Sequence, residues 1–228
     1  MPSQNTLVDH LVASRTIKSP VVEKVFRRID RKLFCPADLP ASYAYQDSPA
    51  GIGCNQTISA PHMHATCMEL CKDYIEKGGD VKRVLDVGSG SGYLTAAFAA
   101  LLVELGKTGK VYGVEKYPEL TRQSVKNIQS ACPDLMPYIN ITSGNVWEGV
   151  EQGGFDVIHV GAAAAKLPEV LVTALNKGGR MVIPVGGQND VQVMQVVDRL
   201  EDGSVKTQNL MGVRYVPLTR PGEDDLYY

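Results

Sequence analysis

The clearest hydrophobic signal along the chain is a series of short, nearly unbroken apolar runs: Val84 to Val87, Val111 to Val114, Phe155 to Val160 and Met181 to Val185. Runs of this length read as strands covered on both faces, as in a parallel sheet. With a shorter run at Tyr138 to Thr142 they predict strands at 83–87, 110–115, 138–142, 155–161 and 180–185. Between them the apolar residues recur at helical spacing. Helices are predicted from Pro61 to Ile75, Tyr93 to Leu105, Pro118 to Ala131 and Pro168 to Asn176, the last terminated by Lys177-Gly178-Gly179. Two more, over 6–14 and 20–31, precede the first strand; Ser19 and Pro20 supply cap and first-turn proline for the second. Segments 191–199 and 205–216 predict a terminal hairpin around Asp202-Gly203, and residues 220–228 a loose polar tail. Strands alternating with helices define an α/β protein with a doubly wound, mostly parallel sheet and helices on both faces.

The stretch from 33 to 60 breaks the pattern. It holds Pro36, Pro40, Pro49, Gly51 and Gly53, two tyrosines and no sustained period, and is expected to be a long ordered loop. A loop of this length inside a compact domain usually carries function. The whole chain, 1–228, is expected to be one domain: N-terminal helices and substrate loop over 1–60, an α/β core over 61–187 that holds a cofactor, and C-terminal strands with a substrate segment over 188–228.

The centre of the pattern is Asp86-Val87-Gly88-Ser89-Gly90-Ser91-Gly92, a strand end running into a glycine loop and a helix. Dinucleotide sites use G-x-G-x-x-G/A and seat a pyrophosphate on the helix N-terminus. Here the spacing is G-x-G-x-G, Tyr93 stands where a small residue is needed, and Asp86 would repel a phosphate. A carboxylate there suits an ammonium group instead. S-adenosylmethionine carries an ammonium and a sulfonium and no phosphate, so it fits the loop better than NAD. Glu115 ends the next strand, where such folds hold ribose hydroxyls. Ligands bind outside the carboxyl ends of the strands, which gathers Asp86, Gly88, Gly90, Glu115, Gly144, Asn145 and Gly161 at one edge. Asn145 there offers an acceptor for an adenine amino group, or is a plain turn residue.

Composition narrows the classes further. The net charge of −2 over 228 residues leaves no basic footprint for nucleic acid. No apolar run approaches a membrane span, and the N-terminus lacks the pattern of a signal peptide. Five scattered cysteines read as free thiols in a reducing compartment, with Cys67 and Cys71 buried in a helix. His62 and His64 cannot share a helix face, so no metal site is expected from them. His159 reads as a satisfied core histidine, His62 as structural, and Trp147 has no role assigned.

Five segments, in order, carry a family resemblance: Gln56-Thr-Ile-Ser-Ala-Pro-His-Met-His64, Leu85-Asp-Val-Gly-Ser-Gly-Ser-Gly-Tyr-Leu-Thr95, Ile158-His-Val-Gly-Ala-Ala-Ala164, Gly179-Arg-Met-Val-Ile-Pro-Val-Gly186 and Leu210-Met-Gly-Val-Arg-Tyr-Val-Pro-Leu-Thr219. Together they resemble the protein-L-isoaspartate (D-aspartate) O-methyltransferases over residues 6 to 219. The resemblance implies a Rossmann-like, S-adenosylmethionine-dependent enzyme, cytoplasmic and monomeric, that methylates the α-carboxyl of L-isoaspartyl and D-aspartyl residues in damaged proteins and peptides and releases S-adenosylhomocysteine. It implies that Ser59 is the active-site serine. The cofactor contacts it implies are Thr57, Ile58, Ser59, His64, Asp86, Gly88, Ser89, Gly90, Glu115, Lys116, Gly144, Asn145 and Thr219. Its partners are isoaspartyl proteins and peptides, with no metal, nucleic acid or membrane. Asn145 departs from the family's usual aspartate, and Gly53 to Gln56 depart from its usual aromatic or small residues. Chemically, an α-carboxylate with a pKa of roughly 3.5 is already ionised at neutral pH and needs no general base. Two alternatives share the glycine loop: a methyltransferase for a small carboxylate, and a cofactor-binding protein without activity. A nicotinamide dehydrogenase conflicts with Asp86.

Overall fold

A computed structural model describes residues 2–150, 154–187 and 190–223. The N-terminal part comprises α1 (Gln4–Ala13), α2 (Pro20–Arg28), a 3-10 turn (Arg31–Phe34), the short α3 (Ala41–Ala44) and a hairpin of β1 (Ala50–Gly53) and β2 (Gln56–Ile58). The α/β part follows as α4 (Pro61–Glu76), β3 (Val81–Val87), α5 (Tyr93–Glu104), β4 (Thr108–Glu115), α6 (Pro118–Ala131), β5 (Ile139–Ser143), β6 (Phe155–Val160), α7 (Glu169–Ala174), β7 (Leu175–Val185), β8 (Gln192–Arg199) and β9 (Val205–Val213). Among the described residues seven strands form one sheet in the order β5-β4-β3-β6-β7-β8-β9. The first five are parallel, and β8 and β9 add an antiparallel pair.

Both faces of the parallel strands are covered, which is why they read as continuous apolar runs. Val84, Val157 and Val182 pack with α1, α2, α4 and α5 in one core. Leu85, Val87, Ile158, Val160, Met181 and Ile183 pack with Leu171 and Val146 in the other. The chain moves outward from β3 through β4 to β5, then returns to place β6 on the other side of β3. The sheet therefore changes direction between β3 and β6, where ligands enter such folds. Gly88, Gly90 and Gly92 all take positive φ in the loop after β3. At Gly92 a Cβ would also press to 3.0 Å from Ile128 and Ser124 of α6, so only glycine starts α5 there.

Four expectations from the sequence need correction. The second helix stops at Arg28, because Ile29 turns extended and Asp30 caps the separate turn Arg31–Phe34 by accepting from the Lys32 amide. The 33–60 stretch is not one continuous loop: the short α3 and the β1–β2 hairpin interrupt it. Its hairpin closes through Cys54 and Asn55, at φ 50° and 52°, a mirror-image turn that matches strand twist without glycine at its centre. The helix predicted over 168–176 ends at Ala174, and Lys177-Gly178-Gly179 lies inside β7. Leu175 pairs with Phe155 and Arg180 with Val157, so the intervening residues bulge, with Gly178 at φ 76°. Finally, β9 stops at Val213, short of 216. The buried Gln192 side chain then replaces the next rung: its Oε1 accepts from the Tyr215 amide at 2.6 Å and its Nε2 donates to the Tyr215 carbonyl at 3.1 Å. Of the predicted polar tail, residues 220–222 are exposed, with Arg220 over the Trp147 ring, and 224–228 lies outside the described residues.

Candidate active site

Three chambers meet above the switch point. A broad cleft of about 1070 Å³ runs over the ends of β3, β4 and β5, between the hairpin tip (Ile52, Asn55) and the segment Val216 to Thr219. A small deep chamber lies over the glycine loop, floored by Asp86 and His159 and walled by Ser59, His64, Ser89 and Tyr93. An outer groove of about 1170 Å³ lies between the start of α4 and residues Gly212 to Pro217. Thr57 and Gly161 line all three, and Ser59 lines both the deep chamber and the outer groove.

The structure brings every residue expected on the cofactor side into these walls. Gly88, Gly90, Glu115, Lys116, Gly144, Asn145 and Thr219 line the broad cleft, with Thr57. Ile58, Ser59, His64, Asp86 and Ser89 line the deep chamber. The electrostatics of two of them differ from simple expectation. Asp86 is buried, and its Oδ1 lies 2.8 Å from His159 Nδ1 while Oδ2 accepts from Thr95 Oγ1 at 2.5 Å. Glu115 spends its oxygens on the loop, accepting from the Gly90 amide at 2.8 Å and the Tyr117 amide at 3.0 Å. Burial raises its pKa, and these backbone bonds oppose the rise. It shapes the glycine loop as well as facing the cleft.

His159 is therefore more than a core histidine. Burial alone would lower its pKa, but the Asp86 carboxylate, with Cys67 alongside, lifts it to about 10. It is a buried imidazolium paired to Asp86. His64, by contrast, is held neutral by burial. Its Nδ1 and the Ser89 hydroxyl are both buried without a partner among the described residues. Both residues line the deep chamber, so a polar group bound there is one way to satisfy them.

Sequence reasoning marked the segment up to Thr219 but not the bonds that hold it across the broad cleft. The Ala163 amide donates to the Val216 carbonyl at 2.7 Å, and the Leu218 amide donates to the Ala163 carbonyl at 2.7 Å. Asn145 Nδ2 donates to the Thr219 carbonyl at 3.1 Å, Trp147 Nε1 to the Leu218 carbonyl at 3.3 Å, and Lys116 Nζ to Thr219 Oγ1. The Arg220 guanidinium lies 4.2 Å from the Trp147 ring centroid. Trp147 thus has a place: it anchors the strap formed by residues 216–220. On the outer-groove side, His62 Nδ1 lies 2.9 Å from Asp47 Oδ1, which also accepts the His62 amide. Tyr215, placed by Gln192, brings its phenol beside the Ser59 hydroxyl, and burial pushes that phenol's pKa up.

A doubly wound sheet with this glycine loop and this edge cleft defines a Rossmann-like methyltransferase of the S-adenosylmethionine-dependent class. Comparison with known proteins takes the identification further. The profile of the family described as Protein-L-isoaspartate(D-aspartate) O-methyltransferase matches residues 2–223, and the chain belongs to that family. It is 44% identical over 223 residues to the protein-L-isoaspartate O-methyltransferase of Triticum aestivum, covering 96% of this chain and 92% of the relative. To protein-L-isoaspartate O-methyltransferase 1 of Arabidopsis thaliana it is 45% identical, covering 93% and 90%. Among solved structures it matches a Plasmodium falciparum chain described as a protein-L-isoaspartate O-methyltransferase beta-aspartate methyltransferase, in complex with S-adenosyl-L-homocysteine. That match has a TM-score of 0.85 and 31% identity, and covers 96% of this chain and 99% of the other.

Proposed function

We propose that the broad cleft and deep chamber hold S-adenosylmethionine and that the outer groove presents the α-carboxyl of an isoaspartyl or D-aspartyl residue to it. The meeting of the three chambers at Thr57 and Gly161, with Ser59 on the wall, carries this reading. The donor set fits the cofactor. Neutral His64 and the Ser89 hydroxyl have unfilled hydrogen-bond capacity for its amino-acid tail, and Asp86, although paired to His159, leaves carboxylate lone pairs on the chamber floor that can accept from its ammonium. Glu115 faces the ribose, and Asn145 offers the remaining acceptor capacity of its side-chain oxygen to adenine. The cofactor, when bound, supplies an electrophilic methyl on a sulfonium.

The chain's own work is alignment. The acceptor carboxylate is ionised at neutral pH, so no base is required. Ser59 donates a hydrogen bond to the carboxylate and fixes one oxygen toward the junction. The Tyr215 phenol, neutral at all ordinary pH, keeps the Ser59 neighbourhood polar without adding charge. The strap and hairpin keep water from the reacting atoms. Holding two reactants in line is worth roughly 7–11 kcal/mol of barrier. The five unpaired cysteines support a reducing, cytoplasmic setting.

The test is methyl transfer from labelled S-adenosylmethionine to matched isoaspartyl and aspartyl peptides. Transfer to the isoaspartyl peptide alone is expected. Transfer to neither, with cofactor bound, would overturn the acceptor assignment.

A further inference from the structure

The outer groove carries an uncompensated positive charge. Its described lining is Pro49, Thr57 to Ala60 in part, His62, Met63, Gly161 and Gly212 to Pro217, and none of these residues is acidic. Two can be cationic, His62 and Arg214. His62 has its Nδ1 against Asp47, whose carboxylate balances any charge the ring takes up. Arg214 has no such counterpart. It is exposed and makes no hydrogen bond, ion pair or ring contact among the described residues. Tyr215, the other titratable lining group, stays neutral because burial raises its pKa. The groove's side-chain field therefore comes from Arg214.

The position of Arg214 sets what it meets. It stands two residues before Val216, which lines both the outer groove and the broad cleft. Two residues of chain span at most about 7 Å. A peptide lying extended in the groove advances at the same pitch, so the Arg214 backbone lies level with a residue about two from the one at the junction, and its guanidinium reaches into the groove from there. A planar guanidinium recognises a carboxylate with two parallel hydrogen bonds, whereas a lysine there is repelled.

We infer that Arg214 is a specificity-determining residue, and that the enzyme favours isoaspartyl segments with an acidic side chain about two positions from the damaged residue. This rests on the assignment of the outer groove to the acceptor. The preference is graded, because an exposed ion pair contributes only a factor of about two to five. The groove still accepts varied sequences and ranks them by charge.

The experiment uses the full chain and isoaspartyl peptides that differ at one position, carrying Glu, Gln or Lys at each of three sites on either side of the isoaspartate. The readout is the Glu-to-Lys ratio of kcat/KM within each enzyme, which cancels any general loss of activity. In the wild type the ratio should peak at roughly fivefold about two positions away, on one side only, and that side gives the direction in which the peptide lies. Arg214→Ala should bring the ratio to about one, and Arg214→Glu should invert it. About 0.5 M salt should flatten the wild-type preference, since the screening length falls to a few ångströms. A flat wild-type profile, or a preference for Glu that survives Arg214→Glu, overturns the inference. Failure to methylate any isoaspartyl peptide, with cofactor binding intact, overturns the groove assignment and this inference with it.

Discussion

His159 Nδ1 stands 2.8 Å from Asp86 Oδ1, and both side chains are almost wholly withdrawn from water. The two residues are direct partners in the parallel register of β3 and β6, on the face covered by α4 and α5. An anion at the end of a central strand is costly to bury unless it is paired and hydrogen-bonded. His159 and Thr95 supply the hydrogen bonds for the carboxylate at the floor of the deep chamber.

This pair makes stability depend on pH in a particular direction. Burial works to lower the His159 pKa, but the hydrogen bond to Asp86, with Cys67 alongside, raises it to about 10 in the folded chain. Free histidine titrates near pH 6.5. The pair's contribution is complete below about pH 6.5 and is lost as pH rises through about 10. The wild-type thermal midpoint should therefore decline over this window. His159→Gln should cost about 3–5 kcal/mol at slightly acid pH, since it strands Asp86, and should decline less over the same window. Thermal melts of both chains at a series of pH values check this; equal slopes would refute it.

Ser59→Ala should separate alignment from cofactor affinity. Loss of one hydrogen bond to a charged group removes about 1.5–3 kcal/mol, so kcat should fall roughly 10- to 100-fold. Cofactor affinity, measured by calorimetry, should change by no more than about twofold. A loss confined to cofactor binding would place Ser59 with the tail and not with the acceptor.

Asn145 is tied to the strap as well as to the cleft. Its Oδ1 accepts from the Trp147 amide at 3.1 Å while Nδ2 donates to the Thr219 carbonyl. Asn145→Asp matches the residue usual in the family but sets a carboxylate against that carbonyl. It should free the strap, weaken cofactor binding by about tenfold and speed hydrogen exchange at the Leu218 amide. Tighter binding would mean that charge toward adenine outweighs the strap.

The Asp202-Gly203 turn is of the kind that isomerises, yet its geometry resists. Asp202 Oδ1 accepts from the Ser204 amide at 2.8 Å and the Ser204 hydroxyl at 2.6 Å, bonds that lower the Asp202 pKa. The Gly203 amide, which would have to attack that carboxyl, donates instead to the Leu200 carbonyl at 2.9 Å. Ser204→Ala should hasten isoaspartate formation at 202 on ageing, read by mass spectrometry. Equal rates would show that the bonds do not protect the turn.

The strand, glycine loop and α5 were legible because each is specified locally, by an apolar run, small residues and strong helix formers. The residues expected around the cofactor gather for a related reason: all sit at strand ends, and strand ends share an edge. The His159–Asp86 pair was not legible, since it depends on β6 returning beside β3, 73 residues later. The hairpin escaped because Cys54 and Asn55 adopt a conformation that sequence readers assign to glycine. Lys177-Gly178-Gly179 reads as a helix stop from local chemistry alone. Only pairing of Leu175 with Phe155 makes it a bulge.

The strap also dates the site. Lys116 and Asn145 wait 103 and 74 residues for the threonine that fastens them. On the ribosome, the glycine loop and its neighbouring strands are made well before the segment that roofs them. A nascent chain therefore holds an open cleft, and activity appears only after the sheet's far edge has been laid down and the strap has crossed back. A repair enzyme organised this way stays silent until its own folding is nearly finished.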